Sequence, residues 1–232
     1  MKSGKNYDGV KEEVVFCCWF DHEMSQDRRS AYENILETHD NVILLDNKNV
    51  QSFSLKENPI HPGFSFLSAT HKSDYLRSYL MNFYGGGYTD IKKQDSSWEK
   101  SFLLLQHGDF FGCGYPEEHP YHIANTPKPF IYDYQNFVGN SAYIYTKNTP
   151  LTNEWFIQTK EKMDSIYDSL KVNPGKSHPR LTKSGIRDEA QFNTGYPLEW
   201  TELLGDIYHP IVYRYKNKIL KNLPKPIMRN YR

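Results

Sequence analysis

The order of short apolar runs near the amino terminus most constrains the fold of this chain of 232 residues. Residues 14–20 read VVFCCWF, an apolar run without alternation, which is typical of a strand buried on both faces. A segment with helical spacing follows, with Ser25 or Asp27 as its candidate cap, and residues 41–46 then read NVILLD, a second strand. Strand, helix and strand in this order predict an α/β sheet of mostly parallel strands, with ligand chemistry at their carboxyl ends.

Composition narrows the class of protein. Lys and Arg together number 28, as do Asp and Glu, so the net charge of zero gives no reason to expect nucleic acid or an anionic membrane as a partner. Cys17, Cys18 and Cys113 lack the spacing of a metal site or redox motif, so we expect three packing residues in a reducing compartment. No apolar run approaches the roughly 20 residues of a transmembrane segment, and the start lacks the apolar core of a signal peptide. We therefore expect a soluble, cytoplasmic protein.

The domain organisation is predicted to be simple. No internal repeat, low-complexity tract or linker divides the sequence, so we expect residues 1–232 to form a single domain, with 1–12 and 222–232 as mobile or wrapping ends. Helical spacing predicts a long helix from about Thr152 to Leu170, while FIYDY and SAYIYT look like later strands. The sequence leaves the oligomeric state open.

Residues 73–94, SDYLRSYLMNFYGGGYTDIKKQ, join a predicted helix to a predicted strand through three glycines. We expect the helix to begin near Ser73, and its apolar positions follow the i, i+3, i+4, i+7 spacing of one helix face: Leu76, Tyr79, Leu80 and Phe83. One glycine would be an ordinary helix end, but three carry an entropic cost of roughly 0.5–1 kcal/mol each. We therefore expect positive φ angles there, or the close approach of a phosphate or sugar to the backbone.

The residues on both sides of the glycines resemble the DxD-type glycosyltransferases of the capsular polysaccharide synthesis kind. In that family S-D-x-x-R is followed, after further helical turns, by G-G-x-Y-x-D-x-D; here residues 73–77 read SDYLR and residues 86–92 read GGYTDIK. FCCWF, NVILLD and the later YPLEWTELLGDIYHP add weaker similarity. The resemblance implies a GT-A, Rossmann-like α/β fold and transfer of a sugar from a nucleotide-diphosphate donor, with UDP favoured, to a glycan acceptor. It also implies synthesis of a surface glycan, in a bacterial cell or a host cell infected by a large virus.

The resemblance assigns roles to individual positions. Asp74 and Arg77 would hold the sugar and ribose region of the donor, and Asp90 would be the first acid of the DxD. Trp19 and Phe20, at the end of the first strand, would contact the base, although core packing explains these two aromatic residues equally well. The residues that the resemblance places at the donor are Trp19, Phe20, Asp74, Arg77, Gly86, Gly87, Tyr88 and Lys92.

Lys92 departs from the family pattern, because it stands where the second acid of the DxD is expected. An ammonium group cannot ligate a metal unless it is deprotonated, yet it can neutralise phosphate directly. In one alternative Lys92, helped by Lys93, replaces part of the charge of the metal and stabilises the departing nucleotide. In the other, Asp90 and a distant ligand such as His209 or Asp206 still bind Mn²⁺ or Mg²⁺. The sequence leaves metal dependence open between them.

The groups on the acceptor side are less clear. Transfer to a hydroxyl either needs a general base or proceeds by a front-side route, and Asp188 is the candidate catalytic carboxylate because Arg187 and Lys183 beside it could clamp a diphosphate. Glu117 and Glu118 are weaker candidates.

Two histidines and a rival function complete the sequence-based hypotheses. His119 and His122 have a spacing found in metal sites, but without further ligands we interpret them as surface residues. The chief alternative to an enzyme is a non-catalytic module on the same fold that binds nucleotide sugars or carbohydrate. An ordinary α/β interaction protein is the third possibility.

Overall fold

The computed structural model describes residues 8–21, 23–124, 130–175 and 195–229, so the predicted carboxylate Asp188 lies outside the described residues. The strands within these ranges are β1 (Val15–Cys18), β2 (Val42–Leu45), β3 (Gly86–Thr89), β4 (Gly112–Pro116), β5 (Val138–Tyr145) and β6 (Ile219–Leu220). The α-helices are α1 (Gln26–Thr38), α2 (Ala69–Phe83), α3 (Glu99–His107), α4 (Pro150–Val172) and α5 (Gly205–Arg214). Among the described helices, none is long and apolar enough to cross a membrane.

The described strands form one sheet in the order β2-β1-β3-β5-β4-β6. β1 pairs in parallel with both β2 and β3, and β4 pairs in parallel with β6. β5 is antiparallel to its neighbours β3 and β4, so the other five strands share one direction. The predicted α/β class, with a mostly parallel sheet flanked by helices, is confirmed.

The order in which the chain adds strands to the sheet changes direction at β1. β2 lies on one side of β1 and β3 on the other, and the connecting helices α1 and α2 cover opposite faces. Ala31 and Ile35 of α1 pack with Cys17, whereas Phe16 and Cys18 pack with the apolar residues of α2. This alternation confirms that Cys17 and Cys18 are packing residues on opposite faces. A reversal of this kind opens a crevice at the carboxyl ends of the two strands that flank it, β1 and β3.

Much of the tyrosine content lies in the core on the α2 face rather than on the surface. α4 packs against α2, α5 packs against α4 and β5, and the Oη atoms of Tyr145 and Tyr208 are 2.9 Å apart. Large fully buried side chains of this face are Tyr75, Tyr79, Tyr88, Tyr143, Tyr145, Trp155 and Tyr208. On the opposite face, α3 packs through Phe102 against strand residues that include Val15 and Ile144.

The backbone conformation and the close neighbours of residues 85–87 explain why all three are glycine. Gly85 and Gly86 have φ angles of +68° and +94°, which L side chains rarely adopt. A Cβ at Gly86 would lie 2.8 Å from the carbonyl oxygen of Val14, and one at Gly87 would lie 2.9 Å from the ring of Trp98. These glycines stand at the start of β3, whereas Asp90 follows its carboxyl end. Their presence is therefore no argument for a ligand beside them, and donor binding by Gly86 and Gly87 stays a prediction of the resemblance.

Several element boundaries differ from those expected. α2 begins at Ala69 rather than near Ser73, because the side chain of Ser68 accepts a hydrogen bond from the backbone N–H of His71 and caps the helix. The helix expected from about Thr152 to Leu170 is confirmed: α4 begins directly after its N-cap Thr149, whose side chain forms a capping box with Thr152. FIYDY, expected as a strand, lies in a 3₁₀ segment.

The described carboxy-terminal segment, residues 221–229, lies against the sheet. The backbone N–H of Leu223 donates to the carbonyl of Gly114, and that of Ile227 donates to the carbonyl of Lys93. The segment therefore passes close to the carboxyl end of β3.

Candidate active site at the carboxyl edge of the sheet

The candidate site lies where β1, β3 and β4 end. Trp19, Asp90 and Glu117 follow these three strands directly, and their parallel direction brings the strand ends to one edge of the sheet. β5 runs the opposite way between β3 and β4, so its early residue Ser141 lies at the same edge. The sequence predicted the contributions of β1 and β3, whereas it predicted no strand at β4.

The carboxylate of Asp90 is the centre of the site. Its Oδ1 accepts hydrogen bonds from Nη2 of Arg77 at 2.7 Å and from Oη of Tyr88 at 3.2 Å. Its Oδ2 accepts from Nζ of Lys92 at 3.0 Å, and Lys92 also donates to Oγ of Ser141 at 2.8 Å. The side chain of Asp90 is 23% exposed, against 8% for both Arg77 and Lys92. The partly exposed carboxylate of Asp90 therefore forms ion pairs with two buried cationic side chains.

Arg77 ties the helix α2 to the strand ends. Besides its bond to Asp90, it donates from Nη1 to the carbonyl of Asn140 at 2.8 Å, and its guanidinium carbon lies 4.4 Å from the ring centroid of Tyr88. Nη2 is also 3.7 Å from Oδ1 of Asp74, one helical turn earlier. The predicted residues Asp74, Arg77, Tyr88, Asp90 and Lys92 are therefore brought together in one cluster.

The two acids of the cluster have different protonation behaviour. Burial alone would raise the pKa of Asp90, but the neighbouring Lys92 and Arg77 hold it well below its usual range, so Asp90 is ionised at neutral pH. Burial raises the pKa of Asp74 to about 7, even though Arg77 opposes the shift. When Asp74 is protonated, two cations face a single anion, and this net positive charge favours an anionic ligand.

We expect Asp74→Asn to flatten the dependence of stability on pH. The raised pKa means that the native state keeps a proton on Asp74 after an unfolded carboxyl has lost it, so wild-type stability falls as the pH rises from about 4 to about 7. Between pH 5 and pH 8 the free energy of unfolding, measured in urea, should fall by roughly 2 kcal/mol more in the wild type than in Asp74→Asn. The exposed Asp168→Asn serves as the control and should retain the wild-type slope. Equal slopes for all three proteins would contradict the raised pKa.

The structure separates the roles of the two aromatic residues after β1. Phe20 is buried and its ring packs edge-on against Phe64, with 5.7 Å between the centroids, so it is a core residue. Trp19 is only partly buried, and the guanidinium of Arg28 lies 5.8 Å from its ring centroid. Arg28 in turn donates to the carbonyl of Ile91 at 2.6 Å. Of the two predicted base-contacting residues, Trp19 is the one that has exposed surface at this edge.

The predicted metal ligands, as the structure places them, do not fit a divalent cation. Both oxygens of Asp90 are paired with cationic side chains, so a metal there would face two positive charges. His209 is buried, burial lowers its pKa to about 4, and its Nδ1 accepts the backbone N–H of Ala124 at 3.1 Å. Its hydrogen therefore lies on Nε2, and neither nitrogen offers a free lone pair. Within the described parts of the chain, no group of three or more His, Cys, Asp or Glu side chains could hold a metal ion.

The sequence did not predict Ser141 at this edge, and Glu117 was only a weaker candidate for a catalytic carboxylate. Ser141, which binds Lys92, lies in β5, and only the pairing of β5 with β3 shows that it is opposite Asp90. Glu117 is buried, its Oε2 is 3.2 Å from Nδ1 of His122, and burial raises its pKa to about 7. The alternation of GCGYP just before it was the available signal, because it marks a strand that ends on this acid.

Comparison with known proteins gives a likeness in structure alone. A scan against models of protein families finds no match, and a search of curated proteins finds none either. Among solved structures, the chain is similar to one titled "PaToxG Glycosyltransferase", with 14% sequence identity and a TM-score of 0.45, over 92% of this chain and 87% of that chain. At this identity and score the likeness leaves the question of function to the site itself.

Proposed function

We propose that this protein is a glycosyltransferase that moves a sugar from a nucleotide-diphosphate donor, a UDP-sugar in the favoured case, to a glycan acceptor. The observation that supports it is the cluster of Asp90, Arg77 and Lys92 at the edge of the sheet where β1 and β3 end. Arg77 and Asp90 belong to the S-D-x-x-R and G-G-x-Y-x-D motifs, and Lys92 stands where the family has its second acid. The setting, synthesis of a surface polysaccharide or glycoprotein glycan, rests on the sequence resemblance alone.

Lys92 and Arg77 supply the positive charge in this proposal. During transfer an acceptor hydroxyl oxygen forms a bond to the anomeric carbon, and the bond from that carbon to the phosphate oxygen breaks. The electron pair of the broken bond leaves with the nucleoside diphosphate, and the hydroxyl proton passes to a general base or, by the front-side route, to the departing phosphate. The ammonium group of Lys92 is held in place by Asp90 and Ser141, so it meets this developing charge without reorganisation. Arg77 lies beside it and contributes a second fixed cation.

Asp90 has two roles in this arrangement. It fixes both cations, and its partly exposed carboxylate can accept a hydrogen bond from a hydroxyl of the donor sugar. A divalent cation is not part of the proposed step, because the side chains around Asp90 already provide the charge that a metal would bring.

A turnover assay tests the function. The wild type, incubated with UDP-glucose, UDP-galactose, UDP-N-acetylglucosamine and GDP-mannose in EDTA, should release nucleoside diphosphate from at least one donor. Asp90→Asn should lower that release by about 100-fold or more, because Lys92 and Arg77 lose the group that positions them. Asp95→Asn, an exposed acid close by in the chain, should be unaffected. A folded Asp90→Asn variant with wild-type turnover would remove Asp90 from the mechanism.

The same assay separates the second candidate, a non-catalytic module that binds nucleotide sugars. This candidate is favoured by one observation: both oxygens of Asp90 are engaged in ion pairs. Calorimetric binding of a nucleotide sugar without release of nucleoside diphosphate would support the module over the enzyme.

A further inference from the structure

The rings of His119, Tyr121 and His122 form an exposed aromatic surface just after β4. The side chain of Tyr121 is 76% exposed, and its ring stacks on that of His119 with 4.9 Å between centroids and 7° between planes. The ring of His122 stands edge-on to both, at centroid distances of 5.4 Å from His119 and 4.8 Å from Tyr121. The face of Tyr121 is thus presented to solvent beside an imidazole.

The buried acid Glu117 orients the imidazole of His122. Glu117 lies beneath the loop, and its Oε2 is 3.2 Å from Nδ1 of His122, whose side chain is 39% exposed. When Glu117 is ionised, Nδ1–H of His122 donates to it and Nε2 carries the lone pair. In this protonation state the pair offers an acceptor for a hydroxyl next to the exposed aromatic face.

The loop is held in place on several sides. Glu118 forms an ion pair with Lys225 from the carboxy-terminal segment, and Ile123 is buried. The backbone N–H of Ala124 donates to the buried Nδ1 of His209. His209, expected as a metal ligand, therefore anchors the end of this loop. A surface that is ordered before binding loses little entropy when a ligand binds.

This aromatic surface lies at the same edge of the sheet as the candidate donor site. Glu117 follows β4 and Asp90 follows β3, with β5 between them, so about 10 Å of sheet separates the two strand ends. Ser141 of β5 binds Lys92, and the charge of Lys92 acts on the carboxyl of Glu117. A saccharide lying on the aromatic surface can reach across this distance to the donor.

We propose that Tyr121, His119 and the Glu117–His122 pair form the binding site for the saccharide acceptor. The C–H face of a sugar ring packs on Tyr121, which His119 supports from behind, and a sugar hydroxyl donates a hydrogen bond to Nε2 of His122. This inference rests on the proposed function, because it places the acceptor beside the donor site.

Titration by NMR tests the site with methyl glycosides of glucose, galactose, mannose, N-acetylglucosamine and fucose, in the presence of saturating UDP. The imidazole signals of His122 should shift with at least one glycoside. Tyr121→Ala should weaken that binding by about fivefold or more, and Tyr121→Phe, which keeps the ring, should preserve it. Tyr132→Ala is the matched control, because Tyr132 is 89% exposed, and it should bind as the wild type does. The affinity for UDP alone should be equal in all four proteins.

Three results would overturn the acceptor site: no shift at His122 with any glycoside, unchanged glycoside affinity in Tyr121→Ala, or a matching loss of UDP affinity in Tyr121→Ala, which would place the ring at the nucleotide. Failure of the proposed function has a different signature. If UDP does not bind the wild type, the glycoside titrations are repeated without it, and the shift at His122 and its loss in Tyr121→Ala are still expected.

Discussion

Arg77→Met is expected to lower the free energy of unfolding by about 3–5 kcal/mol, because it leaves Asp74 buried without the cation beside it and takes one of two cations from Asp90. Arg77 is the ion-pair partner that Asp90 and Asp74 share, at 2.7 Å and 3.7 Å. Methionine preserves much of the volume of the arginine stem, so the loss reports on the charge and its hydrogen bonds rather than on a cavity. It also removes the bond to the carbonyl of Asn140 and the guanidinium over the ring of Tyr88.

Urea denaturation at neutral pH measures this loss. Arg29→Met is the matched control, because Arg29 is exposed on α1 and its ion pair with Glu23 is exposed as well. The control should stay within about 0.5 kcal/mol of the wild type. A loss below about 1 kcal/mol in Arg77→Met would show that the cluster does not depend on its central cation.

Lys92→Asp is expected to make nucleotide binding depend on a divalent cation. The substitution removes the cation that pairs with Asp90 at 3.0 Å and provides a second carboxylate where the glycosyltransferase motif has one. Two nearby carboxylates and a diphosphate supply the oxygen ligands that Mn²⁺ and Mg²⁺ take. In EDTA the variant should bind UDP at least about 10-fold more weakly than the wild type, and Mn²⁺ should restore most of the affinity.

Two further variants complete this comparison. Lys92→Met should bind UDP weakly with and without Mn²⁺, because it lacks both the cation and the carboxylate. Lys93→Asp, with the same charge change at an exposed neighbouring position, should bind as the wild type does. If Mn²⁺ failed to strengthen UDP binding by Lys92→Asp, position 92 would not be where the phosphate charge is met.

The sequence predicted those parts of the site that depend on local spacing. Apolar runs marked β1 and β2, and the spacing of Asp74 and Arg77 put both on one helix that leads into the strand before Asp90. The resemblance to the glycosyltransferase motifs, rather than spacing, predicted that Arg77 and Asp90 lie at one site.

The remainder depended on pairing between distant segments, which local spacing does not encode. β4 was missed and β5 was placed without its direction, so neither Ser141 nor Glu117 could be assigned to the edge. Local spacing also does not show that the buried cations Arg77 and Lys92 both pair with Asp90. The glycines were expected to have positive φ angles or to admit a ligand, and Gly85 and Gly86 do have positive φ. The backbone of Val14 and the ring of Trp98 explain why Gly86 and Gly87 lack side chains.

Calorimetric titration of the wild type with UDP, once in EDTA and once with Mn²⁺, tests the central claim most directly. The claim is that Lys92 and Arg77 supply the charge that meets the diphosphate. It predicts binding in EDTA, with a dissociation constant that Mn²⁺ changes by no more than about threefold. Binding that requires Mn²⁺, or no binding under either condition, would contradict it.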